Sequence, residues 1–293
     1  MAKPETTVGQ VLLARVEAQA AVLAGLDDAV RADVPDAVHR MRVACRRLRS
    51  ALRTFRRLFA PGTTEQLVVE LRWLAAALGG ARDLEVLVER LAAQARELPA
   101  ECGPERVAAA LERWGESEYR RIRPEVVAAV DSPRRRALGD ALATLLADPP
   151  LRRRAARPAL PELSRIAARE QHRTAERVRA ALAAAAPEDR DRALHEARKA
   201  AKRARYAGEA AVPVAGARAE RYAERMKAVQ EVLGDHQDAV VAAATLAARP
   251  VADAEPFGYG VLYGCQLAAE ATARERLPGV WKRAGKPELA RFG

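Results

Sequence analysis

Cysteine is scarce in this sequence. The 293 residues include three cysteines, Cys45, Cys102 and Cys265, which lie far apart and form no CxxC pair. This scarcity excludes a disulfide scaffold and a cysteine-based zinc site, and it is typical of proteins from a reducing cytoplasm. Aromatic residues make up only 4% of the chain. That proportion argues against a β-sandwich or β-barrel, whose strands favour aromatic side chains.

Long apolar runs are absent as well. No segment reaches the roughly 18 apolar residues that a membrane-spanning helix needs. Near the N-terminus, Glu5 and Arg15 stand where a signal peptide would have its apolar stretch. We therefore expect a cytoplasmic protein that does not insert into a membrane.

Strong helix formers dominate what is present. Ala, Leu, Arg and Glu are abundant, and apolar residues recur with helical spacing over pieces of about 15 to 27 residues. No long stretch alternates with the period of a β-strand. The sequence predicts an all-α fold. Pro, Gly and Asp residues predict breaks at 33–36, 61–62, 79–80, 102–104, 131–133, 149–150, 187, 212–213, 234–235 and 249–260.

The second half of the chain repeats motifs of the first. Residues 38–49 align without gaps on residues 194–205, which places His39 opposite His195 at a separation of 156 residues. Residues 78–83 align on residues 233–238 at a separation of 155 residues. Two matches in the same order indicate an internal duplication. We predict one domain over 1–293, built of two pseudo-symmetric antiparallel helical bundles at 5–150 and 155–293.

The net charge of +11 is concentrated in two segments. Residues 37–64 contain eight arginines and no acidic residue, and residues 197–207 contain five basic residues and no acidic one. A first helix is predicted at about Ala37 to Phe59, with apolar residues every three or four positions and basic residues one position later. Each basic stripe therefore runs beside a core-facing seam. The stripes consist of His39, Arg42, Arg46, Arg49, Arg53 and Arg56 in the first half, and His195, Arg198, Lys202 and Arg205, widened by Lys199 and Arg203, in the second.

Like charges at this spacing repel one another. The arginines could cover the core with their stems or pair with acids from other helices. Two aligned stripes of a single sign instead favour an extended polyanion as the partner. Arg72 and Lys227 occupy matching positions before the two Leu-Gly motifs and either add to the lining or lie on solvated faces.

Several other residues allow two interpretations. His39 and His195 either donate to phosphate oxygens or bond to a neighbouring residue, and His172 is expected at the surface. Asp83 and Asp238 either cap the following helix or orient a basic residue such as Arg42 or Arg82. The arginines in two further groups are expected to be solvated or to flank the anion path: Arg152, Arg153, Arg154 and Arg157, and Arg165, Arg169, Arg173 and Arg177.

These motifs resemble the signatures of the CHAD family, the conserved histidine α-helical domain. The resemblance covers roughly residues 5–285. In the first half it rests on His39-x-x-Arg42-Val43-x-x-Arg46-Arg47-Leu48-Arg49 and on Leu78-Gly79-x-x-Arg82-Asp83. In the second half it rests on His195-x-x-Arg198-Lys199-x-x-Lys202-Arg203-x-Arg205-Tyr206 and on Leu233-Gly234-Asp235-His236-Gln237-Asp238.

The resemblance implies two helical bundles related by a pseudo-twofold axis, with a basic groove or channel between them. It also implies binding of inorganic polyphosphate, and an association with polyphosphate granules. Arg47 and Arg82 join the expected polyphosphate ligands, and Asp83, Asp238 and Tyr206 are expected to support them. In the second half, three positions that align with arginines of the first half are not basic: Glu196, Glu209 and Gln237 align with Arg40, Arg53 and Arg82. We therefore expect the second half to bind the polyanion less strongly.

Three functions are compatible with the sequence. A polyphosphate-binding protein without catalysis, which needs no cofactor, accounts for both basic stripes. A nucleic-acid-binding protein is compatible with the charge, but the stripes lack interleaved aromatics for base stacking. A phosphohydrolase would need a metal-binding carboxylate cluster or a Walker loop. Asp235-His236-x-Asp238 is the nearest approach to a metal motif, and it has no matching acids in the first half, so we predict no metal site.

Overall fold

The computed structural model describes residues 5–248 and 256–292. Within these residues the regular structure is helical, apart from two isolated backbone bridges. The predicted all-α fold is confirmed. The helices are α1 (Val8–Ala24), α2 (Asp27–Arg31), α3 (Ala37–Thr54), α4 (Glu65–Ala77), α5 (Gly79–Arg96), α6 (Pro104–Asp131), α7 (Pro133–Ala147), α8 (Ala159–Ala183), α9 (Pro187–Ala215), α10 (Ala217–Ala248) and α11 (Pro256–Ala284).

Local sequence accounts for several helix starts. Thr7 caps α1 through a reciprocal pair of hydrogen bonds with Gln10, and the Ser132 side chain accepts a hydrogen bond from the third residue of α7. Proline is the first residue of α6, α7 and α9. Proline is favoured there because its ring fixes φ near the helical value. Its missing N–H costs nothing, since an N–H at the first helical position has no intrahelical acceptor.

The prediction that α3 extends to Phe59 is wrong. The helix ends at Thr54 and the chain continues into a 3₁₀ turn over Arg56–Leu58. Backbone bonds to a distant segment hold this turn, because Arg152 N donates to Leu58 O and Ala60 N donates to Pro150 O, each at 2.8 Å. Arg56 is therefore exposed on the turn and does not continue the basic stripe.

Two predicted breaks in the second half are also wrong. Helix α9 continues through Pro213 and ends at Ala215, and the capping residue Gly216 has a φ of +53° and a ψ of −137° that suit glycine alone. Helix α10 runs through Gly234 without interruption. Of the predicted break at 249–260, residues 249–255 lie outside the described residues, and residues 256–260 are helical.

The apolar seams of α3 and α9 are buried as predicted. The exposed fraction is 6% at Val38 and 2% or less at Met41, Cys45, Leu48 and Leu52, and all the apolar seam residues of α9 are buried as well. One large core contains residues of both halves of the chain, from Val8 to Phe292. A smaller core joins α5, α6, α10 and α11.

Helix α9 packs between α8 and α10, and it also meets α3 across the two halves. This arrangement brings the two basic helices together. The division of the chain into two pseudo-symmetric bundles stays a prediction. No helix in the described part of the chain is both long enough and apolar enough to traverse a lipid bilayer.

Candidate functional site

The basic stripes of α3 and α9 face one another. Arg46 on α3 is close enough to Arg198 and Lys202 on α9 for their charges to act on each other, and Arg49 acts on Lys202 in the same way. The close packing of α9 against its neighbours depends on small seam residues such as Ala197, Ala201 and Ala204, all fully buried. The sequence pattern of one basic position beside each apolar position therefore becomes a seam of like charges between two helices.

A cavity of about 520 Å³ lies along this seam. Eight Lys and Arg side chains line it, with Glu196 as the single carboxylate. The lining also contains two hydroxyl residues, one histidine and one tyrosine. Its residues are Arg46, Arg49, Ser50, Arg53, Thr54, Arg72, His195, Glu196, Arg198, Lys199, Lys202, Arg203 and Tyr206.

Six of the eight lining cations have no carboxylate oxygen within 4.0 Å among the described residues: Arg46, Arg49, Arg53, Arg72, Arg198 and Lys202. The other two are paired, Lys199 with Glu196 at 2.8 Å and Arg203 with Glu170 at 3.4 Å. Buried polar atoms in the lining also lack partners. The Nε atoms of Arg46 and Arg198 and the Oγ atom of Ser50 have no hydrogen-bond partner among the described residues. All three atoms carry hydrogen-bond donors, and their side chains belong to the lining of a cavity suited to an acceptor-rich, negatively charged ligand.

Burial and the crowding of like charges lower the pKa values of residues in and beside the cavity. Burial, together with Arg46 and Arg198, lowers the pKa of Lys202 to about 7. Burial also lowers the pKa of Arg46 and of Arg49, and neighbouring arginines add to both shifts. Burial and the charges of Arg82 and Arg46 lower the pKa of His39. A phosphate chain in the cavity would oppose each of these shifts by adding negative charge.

Arg42 lies beside the cavity and is held by Asp83. Its two terminal nitrogens donate to the two carboxylate oxygens of Asp83 at 2.6 and 3.1 Å, and one also reaches Gly79 O at 3.4 Å. Asp83 therefore orients Arg42 rather than capping a helix, since Leu78 holds the N-cap position of α5 and Asp83 is the fifth residue of that helix. The second half has a related arrangement, in which Arg198 lies against Gly234 and within electrostatic range of Asp238. Burial raises the pKa of Asp238, and Arg198 and Arg90 oppose that rise.

The histidines have different surroundings. His195 Nδ1 lies 2.8 Å from Gln237 Oε1, so its ring is oriented by α10 while it lines the cavity. His39 does not line the cavity, although it is near Arg82, Arg46 and Arg42. His172 is exposed, as predicted, and lies 3.3 Å from Glu176.

Other predicted ligands lie outside the cavity lining. Lys227 is exposed on α10 and pairs with Glu231 at 3.4 Å, and Arg82 pairs with Glu85 at 3.2 Å. Arg205 pairs with Glu209 at 3.2 Å and its guanidinium lies 4.9 Å from the ring centre of Tyr206. Arg47 is half-buried on α3 and Arg56 has left the helix. The structure therefore groups the predicted residues around a centre formed by α3, α9 and Arg72 of α4.

Two lining residues were missed by the sequence analysis. Ser50 and Thr54 follow Arg46 at successive intervals of four residues, so they lie on the same face of α3. The spacing of four residues predicts that both hydroxyl groups lie on the same face as Arg46, but the sequence analysis considered only the charged residues of this face.

Of the other arginines considered, several form ion pairs with buried acids. Arg154, Arg157 and Arg165 surround Glu162, and Arg169 and Arg173 lie on Glu170. Both carboxylates are 2% exposed. Arg152 and Arg153 are exposed, and with Arg57 and Arg154 they line a second, smaller basic depression of about 360 Å³.

The structure also assembles a possible metal-ligand set. Donor atoms of Asp191, His236 and Glu270, from three different helices, lie within 4.8 Å of one another. The sequence analysis predicted no metal site because it considered His236 only with Asp235 and Asp238. Asp235 instead lies 3.3 Å from Arg276.

Comparisons with known proteins agree with this architecture. A family model described as the CHAD domain matches residues 14–247. Two curated Mycobacterium tuberculosis proteins, Uncharacterized protein Rv2226 and Uncharacterized protein MT2285 of two strains, are each 33% identical to this chain over 265 residues. The alignment covers 89% of this chain and 50% of each relative, so the chain spans about half the length of these relatives.

Two solved structures share the fold. PptA from Streptomyces chartreusis superposes with a TM-score of 0.75 at 25% identity, over 94% of this chain and 100% of that one. The CHAD domain from the plant Ricinus communis superposes with a TM-score of 0.65 at 25% identity, over 96% of this chain and 92% of that one. With a family model matching most of its length and a solved CHAD domain sharing its fold, this chain belongs to the CHAD domain family.

Proposed function

We propose that this protein binds inorganic polyphosphate in the cavity between α3 and α9, without catalysing a reaction on it. The observation that carries the proposal is the set of six cavity cations that have no carboxylate partner among the described residues. Holding like charges together is unfavourable unless a counter-charge offsets their repulsion. The CHAD resemblance supports polyphosphate as the anion and an accessory or granule-targeting role as its biological context.

The chemistry of the lining suits a flexible chain of phosphates. Five of the six unpaired cations are arginines. A guanidinium group is planar and permanently charged, and it binds two phosphate oxygens at once. Polyphosphate carries about one negative charge per unit and no bases, so repeated cations along two helices can engage successive units without a sequence-reading element. Ser50 and Thr54 supply neutral hydrogen-bond donors along the same path.

Nucleic acid is the alternative polyanion. Single-stranded nucleic acid binding depends on aromatic faces on which bases stack. Tyr206 is the one aromatic residue in the lining; it is 6% exposed and Arg205 lies over its ring. The cavity therefore offers phosphate contacts but little stacking surface, and we expect DNA and RNA to compete poorly with polyphosphate.

The decisive experiment is a titration with polyphosphates of defined length at several salt concentrations, with single-stranded DNA as competitor. If all six unpaired cations contact phosphate, the logarithm of the affinity should fall with the logarithm of salt concentration with a slope of about −4, by the relation for single-stranded polyanions. Equal displacement by DNA at equal phosphate concentration would favour the nucleic-acid function. An absence of binding at moderate salt would refute both.

A pair of double variants separates a specific site from general charge. Arg46→Ala with Arg49→Ala removes two cavity cations, and Arg120→Ala with Arg121→Ala removes two exposed arginines of α6. Both change the net charge equally. Since a hydrogen bond to a charged group contributes about 1.5–3 kcal/mol, the cavity double variant should bind at least about 100-fold more weakly, while the control changes little. Equal losses in the two variants would show that binding follows net charge alone.

The absence of catalysis is tested separately. Phosphate release from polyphosphate should stay at the uncatalysed rate when Mg²⁺ or Mn²⁺ is added. Release that requires the protein and the metal ion would convert this proposal into a phosphohydrolase function, the third possibility that the sequence leaves open.

A further inference from the structure

His236 is a buried histidine that the cavity does not use. It lies on α10, its side chain is 4% exposed, and its Nε2 atom has no hydrogen-bond partner among the described residues. A buried ring nitrogen without a partner needs an explanation. Its removal from water costs free energy, and no hydrogen bond within the described residues offsets that cost. The surroundings of this atom suggest one.

Two carboxylates from other helices converge on the same nitrogen. Asp191 Oδ1, from the first turns of α9, lies 3.5 Å from His236 Nε2, and Glu270 Oε1, from α11, lies 3.7 Å from it. A charge-assisted hydrogen bond between an imidazolium and a carboxylate would be about 2.7–2.9 Å long. The nitrogen therefore faces both oxygens without bonding to either.

These separations are close to those between two ligands of one metal ion. In a tetrahedral site with bonds of about 2.1 Å, the donor atoms lie about 3.4 Å apart. All three donor atoms here lie within 4.8 Å of one another. The side chains of Asp191 and Glu270 are 41% and 18% exposed, so a change of rotamer can bring their oxygens closer.

A neighbouring residue already fixes one of the carboxylates. Arg274 donates to Glu270 Oε1 at 2.6 Å, in the way that second-layer groups commonly orient a ligating carboxylate. Arg190 is also close enough to act on His236 electrostatically. The two arginines also offset part of the negative charge of the two carboxylates.

We propose that Asp191, His236 and Glu270 form a binding site for a divalent transition-metal ion, with Zn²⁺ as the representative ion. Mixed imidazole and carboxylate donors suit first-row transition metals, whereas Mg²⁺ and Ca²⁺ prefer oxygen alone. Three protein ligands leave one coordination position for water. The ion would fasten α9, α10 and α11 to one another beside the cavity, because Asp191 lies one turn before His195 on α9 and His236 precedes Gln237, which holds the His195 ring.

The test uses the full chain, stripped of metal with EDTA and desalted, in the absence of polyphosphate, so its outcome is independent of the proposed anion binding. Zn²⁺ should bind with a stoichiometry of one per chain by elemental analysis and should raise the unfolding midpoint. Co²⁺ in its place should give visible absorption typical of a nitrogen- and oxygen-ligated ion. Asp191→Asn and Glu270→Gln should each weaken Zn²⁺ binding at least about tenfold, since each removes a ligand.

His172→Asn is the matched control. His172 and Glu176 form an exposed histidine–carboxylate pair on α8, where adventitious Zn²⁺ would bind to a histidine beside an acid. Its loss should leave the single equivalent in place. The proposal is overturned by binding below one equivalent, by Zn²⁺ binding that survives both Asp191→Asn and Glu270→Gln, or by loss of binding in the control.

Folding of the variants is checked by circular dichroism in EDTA. Asp191 and Glu270 are partly exposed and lie on separate helices, so each substitution provides an independent measurement. The test does not use His236→Asn. His236 is buried, so its substitution would also change the packing around it.

Discussion

Lys202 should make polyphosphate binding depend on pH above about 7. Burial, Arg46 and Arg198 lower the pKa of its amine to about 7, so in the free protein above that pH the side chain is mostly neutral. A phosphate chain in the cavity favours the charged ammonium form and returns the pKa toward its ordinary value of 10.5. Binding is then coupled to the uptake of a proton.

The magnitude follows from these two pKa values. If the pKa rises fully to 10.5 in the complex, the affinity should fall about 20-fold between pH of about 7.5 and pH of about 9, by proton linkage. At the lower pH each binding event should take up about three-quarters of a proton. The free protein shows the opposite trend. Its unfolded state holds this proton up to about pH 10.5 and its folded state does not, so this group makes the folded state more stable as pH rises above about 7.

Isothermal titration calorimetry in buffers of different ionisation enthalpy measures both the affinity and the proton uptake. Lys202→Arg is the matched control, because arginine keeps the positive charge and does not titrate in this range. Its affinity should be nearly constant from about pH 7.5 to about pH 9, and its proton uptake should vanish. Equal pH dependence in the wild-type protein and in Lys202→Arg would refute the reasoning.

Two further predictions concern stability. Arginines bond the buried Glu162 and lower its pKa against the effect of burial, so its contribution is present at neutral pH and is lost as the pH falls below about 4.5. Glu162→Gln should cost about 3 kcal/mol in urea unfolding at pH 7 and much less near pH 3; an equal cost at both would contradict this. Gly208→Ala should cost about 1–3 kcal/mol, because its Cβ would lie 2.7 Å from Tyr222 Cδ1. Gly260→Ala, with nothing within 4 Å, should instead leave stability unchanged or raise it by up to about 1 kcal/mol, and equal losses in thermal unfolding would refute the packing argument.

Much of the fold was predictable because helical periodicity is a local property. The seam from Val38 to Leu52 and the seam from Leu194 to Ala211 are buried as their spacing indicated. Errors came where distant contacts override local preference. Helix α3 stops at Thr54 because residues 58–60 bond to residues 150–152, and Gly234 does not break α10.

The candidate site was predictable in part for the same reason. Charge and periodicity identified Arg46, Arg49, Arg198 and Lys202 as members of two basic stripes, and the structure places all four in the cavity lining. Lys227 occupies an equivalent position in the repeat but pairs with Glu231 at the surface. An alignment of the two motifs predicts which residues are equivalent along the chain. It does not predict where a long side chain points, because that depends on the residues around it in the folded protein.

The sequence by itself determined the helical class, the buried seams and the concentration of positive charge in two segments, because each depends on residues a few positions apart. Only the tertiary structure decided which cations keep a carboxylate partner. The acids that neutralise Arg42 and Arg203 come from 41 and 33 residues away, on other helices. The same is true of Asp191, His236 and Glu270, whose donor atoms meet only where α9, α10 and α11 pack together. Coulomb interactions and metal coordination depend on distances of a few ångströms between atoms. The order of residues along the chain does not give those distances for residues on different helices.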